Sequence, residues 1–177
     1  MKDKYDAFFL DLDHVLVYEN RNSSQENFEW PIRFDEKALE EFRKFLTFLS
    51  SRVRGSKIFV VSSWRFLRHF DGFLLNAVNN PYFNQIYDNC FSRIEDADNE
   101  TLEEFIELRY GEIDQWYFIA SKRFFGDLKR NDRLIPCTIG FTEGHLKTLK
   151  KLLSCRADRE EKKKKTVVYD FGEMYRK

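Results

Sequence analysis

Cysteine is scarce in this sequence, and the spacing of the cysteines argues against a structural zinc site. The 177 residues include three cysteines, Cys90, Cys137 and Cys155. They lie far apart, form no Cys-x-x-Cys pair and have no histidines at the spacing typical of zinc sites. We therefore expect free or buried thiols in a reducing compartment rather than a structural zinc site.

The sequence also lacks a net charge and a long apolar run. Lys and Arg number 30, as do Asp and Glu, so the formal net charge is zero. Such a protein has no bulk field that would draw it to nucleic acid or a membrane, and either partner would need a local patch. No long apolar stretch follows the opening Met1–Lys4, which argues against a signal peptide or a membrane span. The expected location is the cytoplasm, without a membrane partner.

Aromatic residues, in contrast, are abundant. They make up 17% of the chain, and 19 of them are Phe, which predicts a Phe-rich core. The length suits one domain that can bury most of its apolar surface. We expect a single domain over 1–177, with a core at about 5–153, a charged segment at 156–165 and a C-terminal strand or tail at 166–177.

Apolar runs alternate with stretches of helical periodicity. Strands are predicted at Tyr5–Leu10, Lys57–Val61, Gln115–Ala120, Arg133–Cys137 and Thr166–Phe171. Helices are predicted from Asp35 to about Val53, from Trp64 to Val78, from a capping box at Thr101 to about Tyr110, and from Thr142. This alternation favours an α/β fold, a doubly wound parallel sheet with helices on both faces.

Two carboxylates, Asp11 and Asp13, follow the first predicted strand. Ligands bind at the carboxyl ends of strands in parallel α/β sheets. Carboxylates two residues apart at that place can hold a divalent cation, and one can attack phosphorus while the other moves a proton. The alternative is a turn or helix cap that uses Asp for local hydrogen bonds.

The segment from Phe8 to Leu16, Phe-Phe-Leu-Asp-Leu-Asp-His-Val-Leu, resembles the first motif of the haloacid dehalogenase (HAD) superfamily. That motif is an apolar strand followed by D-x-D-x-[TV]-[LV]. The resemblance implies a HAD-like Rossmannoid fold, here without a large cap domain, with Asp11 as the nucleophile and Asp13 as the general acid and base. His14 departs from the motif, since relatives usually have Gly there, and it suggests an altered loop geometry.

Two later segments resemble further motifs of this family. The run Lys57–Ser62 is an apolar strand that ends in a serine, which in the family hydrogen-bonds the phosphoryl group; Ser62 is also a good helix N-cap. The continuation Ser63-Trp64-Arg65 is similar to small HAD domains linked to RNA repair proteins. Arg109 resembles the basic residue of that subgroup that neutralises phosphate, although an arginine near a helix end is commonly a solvated charge.

The fourth motif should supply acidic residues that complete a Mg²⁺ shell, and two alignments compete for it. In the preferred one, Trp116–Ala120 is the strand, and the usual Asp pair falls on Ser121 and Lys122. In the other, Asp127, with Asp132, supplies the acidic residues after a weak strand. The first alignment removes carboxylates that Mg²⁺ needs and places a repelling ammonium group beside it.

The resemblance implies Mg²⁺-dependent hydrolysis of phosphomonoesters through an aspartyl-phosphate. Asp11, Asp13 and, in the second alignment, Asp127 would bind the metal, and Ser62 and Arg109 would hold the phosphoryl oxygens. The substrate would be a phosphorylated small molecule or a nucleic-acid end. The rival interpretation is a catalytically inactive HAD-like domain that acts as a binding or structural module in a larger assembly.

A run of four lysines near the C-terminus also has two interpretations. A solvated tail segment is the simpler one. The sharper one is an RNA or phosphate contact. The residues are Lys162, Lys163, Lys164 and Lys165.

Overall fold

The computed structural model of the protein describes residues 4–19, 32–89, 99–109, 111–121 and 133–154. The strands are β1 (Tyr5–Leu10), β2 (Val17–Glu19), β3 (Ile32–Phe34), β4 (Ser56–Val60), β5 (Tyr87–Asp88), β6 (Ile113–Ser121) and β7 (Leu134–Cys137). The helices are α1 (Glu36–Ser50), α2 (Phe70–Val78), α3 (Pro81–Ile86), α4 (Asn99–Leu108) and α5 (143–154), with a 3-10 turn at Ser63–Phe66. Within these ranges, no helix is both long and apolar enough to cross a membrane.

Five strands form one parallel sheet in the order β5-β4-β1-β6-β7. The central strand β1 is buried along its whole length. Phe9 of β1 lies in register with Phe59 of β4 and Phe118 of β6, and its ring stacks on both at centroid distances of 5.4 and 5.1 Å. The parallel α/β sheet and the Phe-rich core that the sequence predicts are thus confirmed. β2 and β3 pair separately as an antiparallel ribbon.

Helices cover both faces of the sheet. Side chains alternate along β1, so that Phe8 belongs to one buried cluster and Phe9 to the other. Helices α1, α2, α3 and α5 pack in the first cluster, whereas Phe105 and Ile106 of α4 pack against the second. Right-handed crossovers require this arrangement, because the chain moves from β1 to β4 in one direction and later reverses to reach β6 on the other side of β1.

Helix α1 begins where the sequence predicts but ends earlier. The Asp35 side chain accepts a hydrogen bond from the backbone N–H of Lys37 and caps the helix. The helix ends at Ser50 instead of near Val53, which is fully exposed and outside the apolar stripe. Beyond the helix, Arg52 forms a 2.8 Å ion pair with the fully buried Asp6.

Two other element predictions need correction. The helix predicted over Trp64–Val78 is split into the 3-10 turn and α2, because His69 between them has a left-handed backbone with φ 62°. The capping box at Thr101 does not mark a helix start, since α4 already includes Asn99. The short strands β3 and β5 were not predicted. The strand predicted at Thr166–Phe171 lies outside the described residues.

Candidate active site

Four polar side chains lie at the ends of neighbouring strands. Asp11 directly follows β1, Ser62 follows β4 by two residues, Ser121 ends β6 and Cys137 ends β7. Because all these strands are parallel, their carboxyl ends share one edge of the sheet. The chain leaves β1 toward β4 on one side and returns to β6 on the other, so a topological switch point lies between β1 and β6. Ligands of open α/β sheets bind at such points.

Asp11 is a nearly buried carboxylate in this edge. It is 4% exposed, and its Oδ1 accepts a 2.8 Å hydrogen bond from the backbone N–H of Leu12. Burial and then the neighbouring charge of Asp13 raise the pKa of Asp11 to about 6, although backbone N–H groups that include that of Ser121 act in the opposite direction. The charged form of Asp11 is therefore under-solvated, and a positive ligand would stabilise it.

Asp13 is held by a residue that sequence reasoning did not assign to the site. The indole Nε1–H of Trp64 donates to Oδ1 of Asp13 at 2.5 Å. Trp64 lies in the 3-10 turn after β4 and packs against the larger core cluster. The Ser63-Trp64-Arg65 segment drew attention to Trp64 in the sequence, but it does not predict that the indole contacts Asp13.

The backbone between β1 and β2 turns sharply around the two carboxylates. The carbonyl oxygen of Leu12 accepts hydrogen bonds from the N–H groups of Val15, Leu16 and Val17. His14 within this turn has a left-handed backbone with φ 59°, which Gly adopts without strain. His14 thus has a backbone conformation that suits Gly, the usual residue at this position of the HAD motif.

Ser62 and Arg65 lie together at the end of β4. The Ser62 side chain is buried and accepts from the backbone N–H of Trp64 at 3.5 Å, so its predicted capping role is confirmed for the 3-10 turn. The buried Arg65 guanidinium donates to the carbonyl oxygens of Val61 and Ser62 at 2.8 and 2.9 Å. A positive charge that the sequence did not single out therefore lies at the same sheet edge as Asp11.

Arg109, the residue that the sequence suggested for phosphate binding, lies outside this group. It precedes β6, whose first residue, Ile113, lies at the amino edge of the sheet. A nine-residue strand spans roughly 25 Å, so Arg109 and Asp11 lie at opposite edges. The guanidinium instead lies 4.9 Å from the ring centroid of Phe105 and 3.6 Å from the Glu112 carboxylate.

The predicted fourth motif is only partly described. Ser121 ends β6 beside Asp11, in the position where the preferred alignment expects an acidic residue to begin the pair. Lys122, Asp127 and Asp132 lie outside the described residues. Among the residues that the structure describes, no group of three His, Cys, Asp or Glu side chains is arranged to hold a metal ion. Asp11 and Asp13 are thus the described acidic side chains that directly follow β1 at this edge.

Cys137 at the end of β7 is a second residue that the sequence did not assign to the site. Burial, followed by the charge of Asp11, raises the pKa of its thiol to about 12. The Sγ atom is 3.8 Å from Nδ1 of His145, which also accepts from the backbone N–H of Thr142. Burial lowers the pKa of His145, so a neutral imidazole faces a protonated thiol. This pair is not an activated nucleophile.

The fold and the site together define the class of this protein. It has an α/β fold built on a five-stranded parallel sheet, with two carboxylates at the carboxyl edge of the central strand. Comparisons with protein-family models, with curated proteins and with solved structures gave no match for this chain. Its function is therefore inferred from the geometry of the site.

Proposed function

We propose that the carboxyl edge of β1 is the active site of a Mg²⁺-dependent phosphomonoester hydrolase with a HAD-like Rossmannoid fold. The observation that carries the proposal is the pair Asp11 and Asp13, close enough for the charge of one to raise the pKa of the other. Two like charges in a desolvated place are costly unless a ligand offsets them. Between β1 and β4 the described residues form the β2–β3 ribbon and α1, which is consistent with the absence of a large cap.

The two carboxylates fit Mg²⁺ in their chemistry. This ion takes oxygen ligands in octahedral geometry, and it usually keeps water and substrate phosphate in its shell beside one or two carboxylates. When bound, it would neutralise the charge of the phosphate that otherwise repels an anionic nucleophile. Asp11 and Asp13 would hold it, and the raised pKa of Asp11 is the expected property of a cation ligand without its cation.

The reaction would proceed in two steps on these residues. An Asp11 oxygen attacks phosphorus, the bond from phosphorus to the ester oxygen breaks, and Asp13 gives that oxygen a proton. Asp13 then takes a proton from water, and the resulting hydroxide attacks phosphorus. This second step releases inorganic phosphate and restores the Asp11 carboxylate.

We assign Ser62 and Arg65 to hold the phosphoryl group, because both follow β4 at its carboxyl end. The Ser62 oxygen accepts from the backbone N–H of Trp64, so its own O–H can donate to a phosphoryl oxygen. The buried guanidinium of Arg65 adds positive charge next to Ser62. In this proposal Arg65, and not Arg109, is the basic residue of the site.

The substrate class is a phosphorylated small molecule or a nucleic-acid end. The similarity of Ser63-Trp64-Arg65 to the RNA-repair subgroup favours a nucleic-acid 3′-phosphate as one substrate to test. The lysines at 162–165, which lie outside the described residues, would then be candidates for an RNA contact.

Hydrolysis of 4-nitrophenyl phosphate and of an oligonucleotide 3′-phosphate, each with Mg²⁺ and with a chelator, tests the proposal. Asp11→Asn should abolish turnover, because an amide is a poor nucleophile. Asp13→Ala should lower kcat about 10²–10⁴-fold through the loss of acid–base catalysis. Glu40→Gln, an exposed carboxylate on α1, is the matched control and should retain full activity. Wild-type turnover that survives in both aspartate variants would contradict these roles.

A second candidate, an inactive HAD-like binding module, is favoured by one observation. Ser121 occupies the end of β6, where the preferred alignment expects a metal-binding carboxylate. This candidate predicts a folded wild type that hydrolyses neither substrate and shows no heat of Mg²⁺ binding in calorimetry. Turnover that depends on Mg²⁺ and on Asp11 would exclude it.

A further inference from the structure

The indole of Trp64 links two strands across the candidate active site. Asp13 follows β1 and Trp64 follows β4, so the 2.5 Å bond from Nε1 to Oδ1 joins the carboxyl ends of neighbouring strands. The contact spans 51 residues of sequence. It therefore depends on the assembled sheet and is not a local turn interaction.

The chemistry of the indole makes this contact one-directional. Its N–H can donate but not accept, and it carries no charge that changes with pH. A donor to a carboxylate gives a short, strong hydrogen bond. The bond uses one lone pair of Oδ1 of Asp13, whose second lone pair can still face a cation, and leaves Oδ2 as the oxygen for proton transfer. The Trp64 ring is partly buried against the larger core cluster, which limits its rotation.

We propose that Trp64 is a positioning residue that orients Asp13 for protonation of the leaving group. This inference rests on the proposed phosphatase function. A merely structural tryptophan could be replaced by another large ring without a selective effect. A positioning tryptophan matters most where proton donation matters most, which is for esters whose leaving group is a strongly basic alkoxide.

The test compares two leaving groups in Trp64→Phe, which keeps a large apolar ring but loses the donor. 4-Nitrophenolate leaves with little need of a proton, whereas the alkoxide of glycerol 2-phosphate needs one. We expect kcat for glycerol 2-phosphate to fall about tenfold or more and kcat for 4-nitrophenyl phosphate to change by less than about threefold. In an Asp13→Ala background, Trp64→Phe should cause no further loss, because the two residues act as one unit. Trp116→Phe, on β6, is the matched control.

A second readout does not need activity. In ¹⁵N spectra the indole resonance of Trp64, assigned by elimination with Trp30→Phe and Trp116→Phe, should shift in Asp13→Ala. An unchanged resonance would overturn the inference even if Trp64→Phe failed to fold. Equal losses on both esters, or additive losses in Asp13→Ala, would also overturn it. Wild type that hydrolyses neither ester would refute the proposed function instead, and the resonance would still test the contact.

Discussion

Burial of the charged Asp11 side chain costs free energy, and the residues that the structure describes offset this cost only in part. The side chain is 4% exposed, a second carboxylate lies nearby, and the ion pairs found among the described residues do not include it. Hydrogen bonds from backbone N–H groups compensate only in part, since the pKa stays raised. Functional sites commonly retain such a cost because binding or chemistry uses the charge.

This cost predicts how stability depends on pH. The pKa of Asp11 is about 6 in the folded protein against 3.8 as the reference value, so between these values the folded state binds more protons than the unfolded state. The contribution of Asp11 to the free energy of unfolding must therefore fall as pH rises from about 4 to 6, by an amount on the order of 3 kcal/mol at most, and stay lower above pH 6. Asp11→Asn removes this term. We expect the variant to be more stable than wild type at pH 8 by about 1–3 kcal/mol, with the difference vanishing near pH 4.

Urea denaturation without Mg²⁺ at pH 4, 6 and 8 measures this difference. Glu40→Gln serves as the control for loss of a carboxylate and should show no such pH trend. A constant difference between Asp11→Asn and wild type across the three pH values would show that Asp11 is not under-solvated in the folded protein.

At the scale of single residues, the sequence predicts positions that depend on one segment of chain. It does not predict contacts between residues that only the folded sheet brings together. Asp11 and Asp13 stand directly after an apolar strand, so their position at the sheet edge follows from the strand alone. The Trp64 contact with Asp13 and the burial of Cys137 beside Asp11 depend on strands that are distant in sequence. Only the comparison with the HAD motif, which usually has Gly at this position, indicates from sequence that His14 has a left-handed backbone.

At the scale of elements, the beginning of α1 offers a measurable test. Asp35 caps the helix through the backbone N–H of Lys37. Asp35→Ala should lower the free energy of unfolding by about 1 kcal/mol, and Asp35→Ser should recover most of the loss, because serine is also a good N-cap. Chemical denaturation of the two variants and wild type at pH 7 gives the comparison. Equal losses in both variants would assign the effect to the acidic charge near the helix start and not to the cap.

The elements that sequence predicted well are those whose signals agree with their packing. β1 has its predicted bounds, because a run that is apolar except for Asp6 fits a strand buried on both faces, and Arg52 pairs with that one buried charge. The prediction failed where the three-dimensional fold overrides local pattern. Val53 continues the apolar period of α1, but the chain leaves the helix at Ser50 and Arg52 pairs with the buried Asp6. The run from Trp64 to Val78 has helical composition, yet the left-handed His69 divides it.

At the scale of the whole molecule, the parallel sheet decides which predicted residues can share a site. Every parallel strand starts at one edge and ends at the other, so a residue just before a strand lies opposite a residue just after one. The topology that the sequence predicts therefore already excludes Arg109, which precedes β6, from the neighbourhood of Asp11. The same rule brings together Ser62, Ser121 and Asp11, which follow or end strands far apart in sequence.

If Mg²⁺ binds at the switch point between β1 and β6, as proposed, its binding must also stabilise the whole folded chain. A ligand that binds only the folded state raises the free energy of unfolding by RT ln(1 + [L]/Kd), about 2.7 kcal/mol at a hundredfold excess over Kd. Asp11 and Asp13 provide two carboxylates, and Ser121 lies close enough for its backbone N–H to bond Asp11. Ser121→Asp places a third carboxylate at this edge, where a cation would gain a further oxygen ligand.

Ser121→Asp should therefore lower the free energy of unfolding without Mg²⁺ and raise the affinity for Mg²⁺. Without Mg²⁺ we expect the variant to unfold more easily than wild type by about 1–3 kcal/mol, because a further charge is buried beside Asp11. With Mg²⁺ its midpoint of unfolding should rise more steeply than that of wild type, and calorimetry should give a lower Kd. Ser50→Asp, at an exposed serine that ends α1, controls for the added charge; it should lose at most about 1 kcal/mol through the helix dipole and gain no response to Mg²⁺. If Ser121→Asp loses stability but gains no response to Mg²⁺, the acidic edge of β1 is not a metal site, and the inactive binding module becomes the better account of this protein.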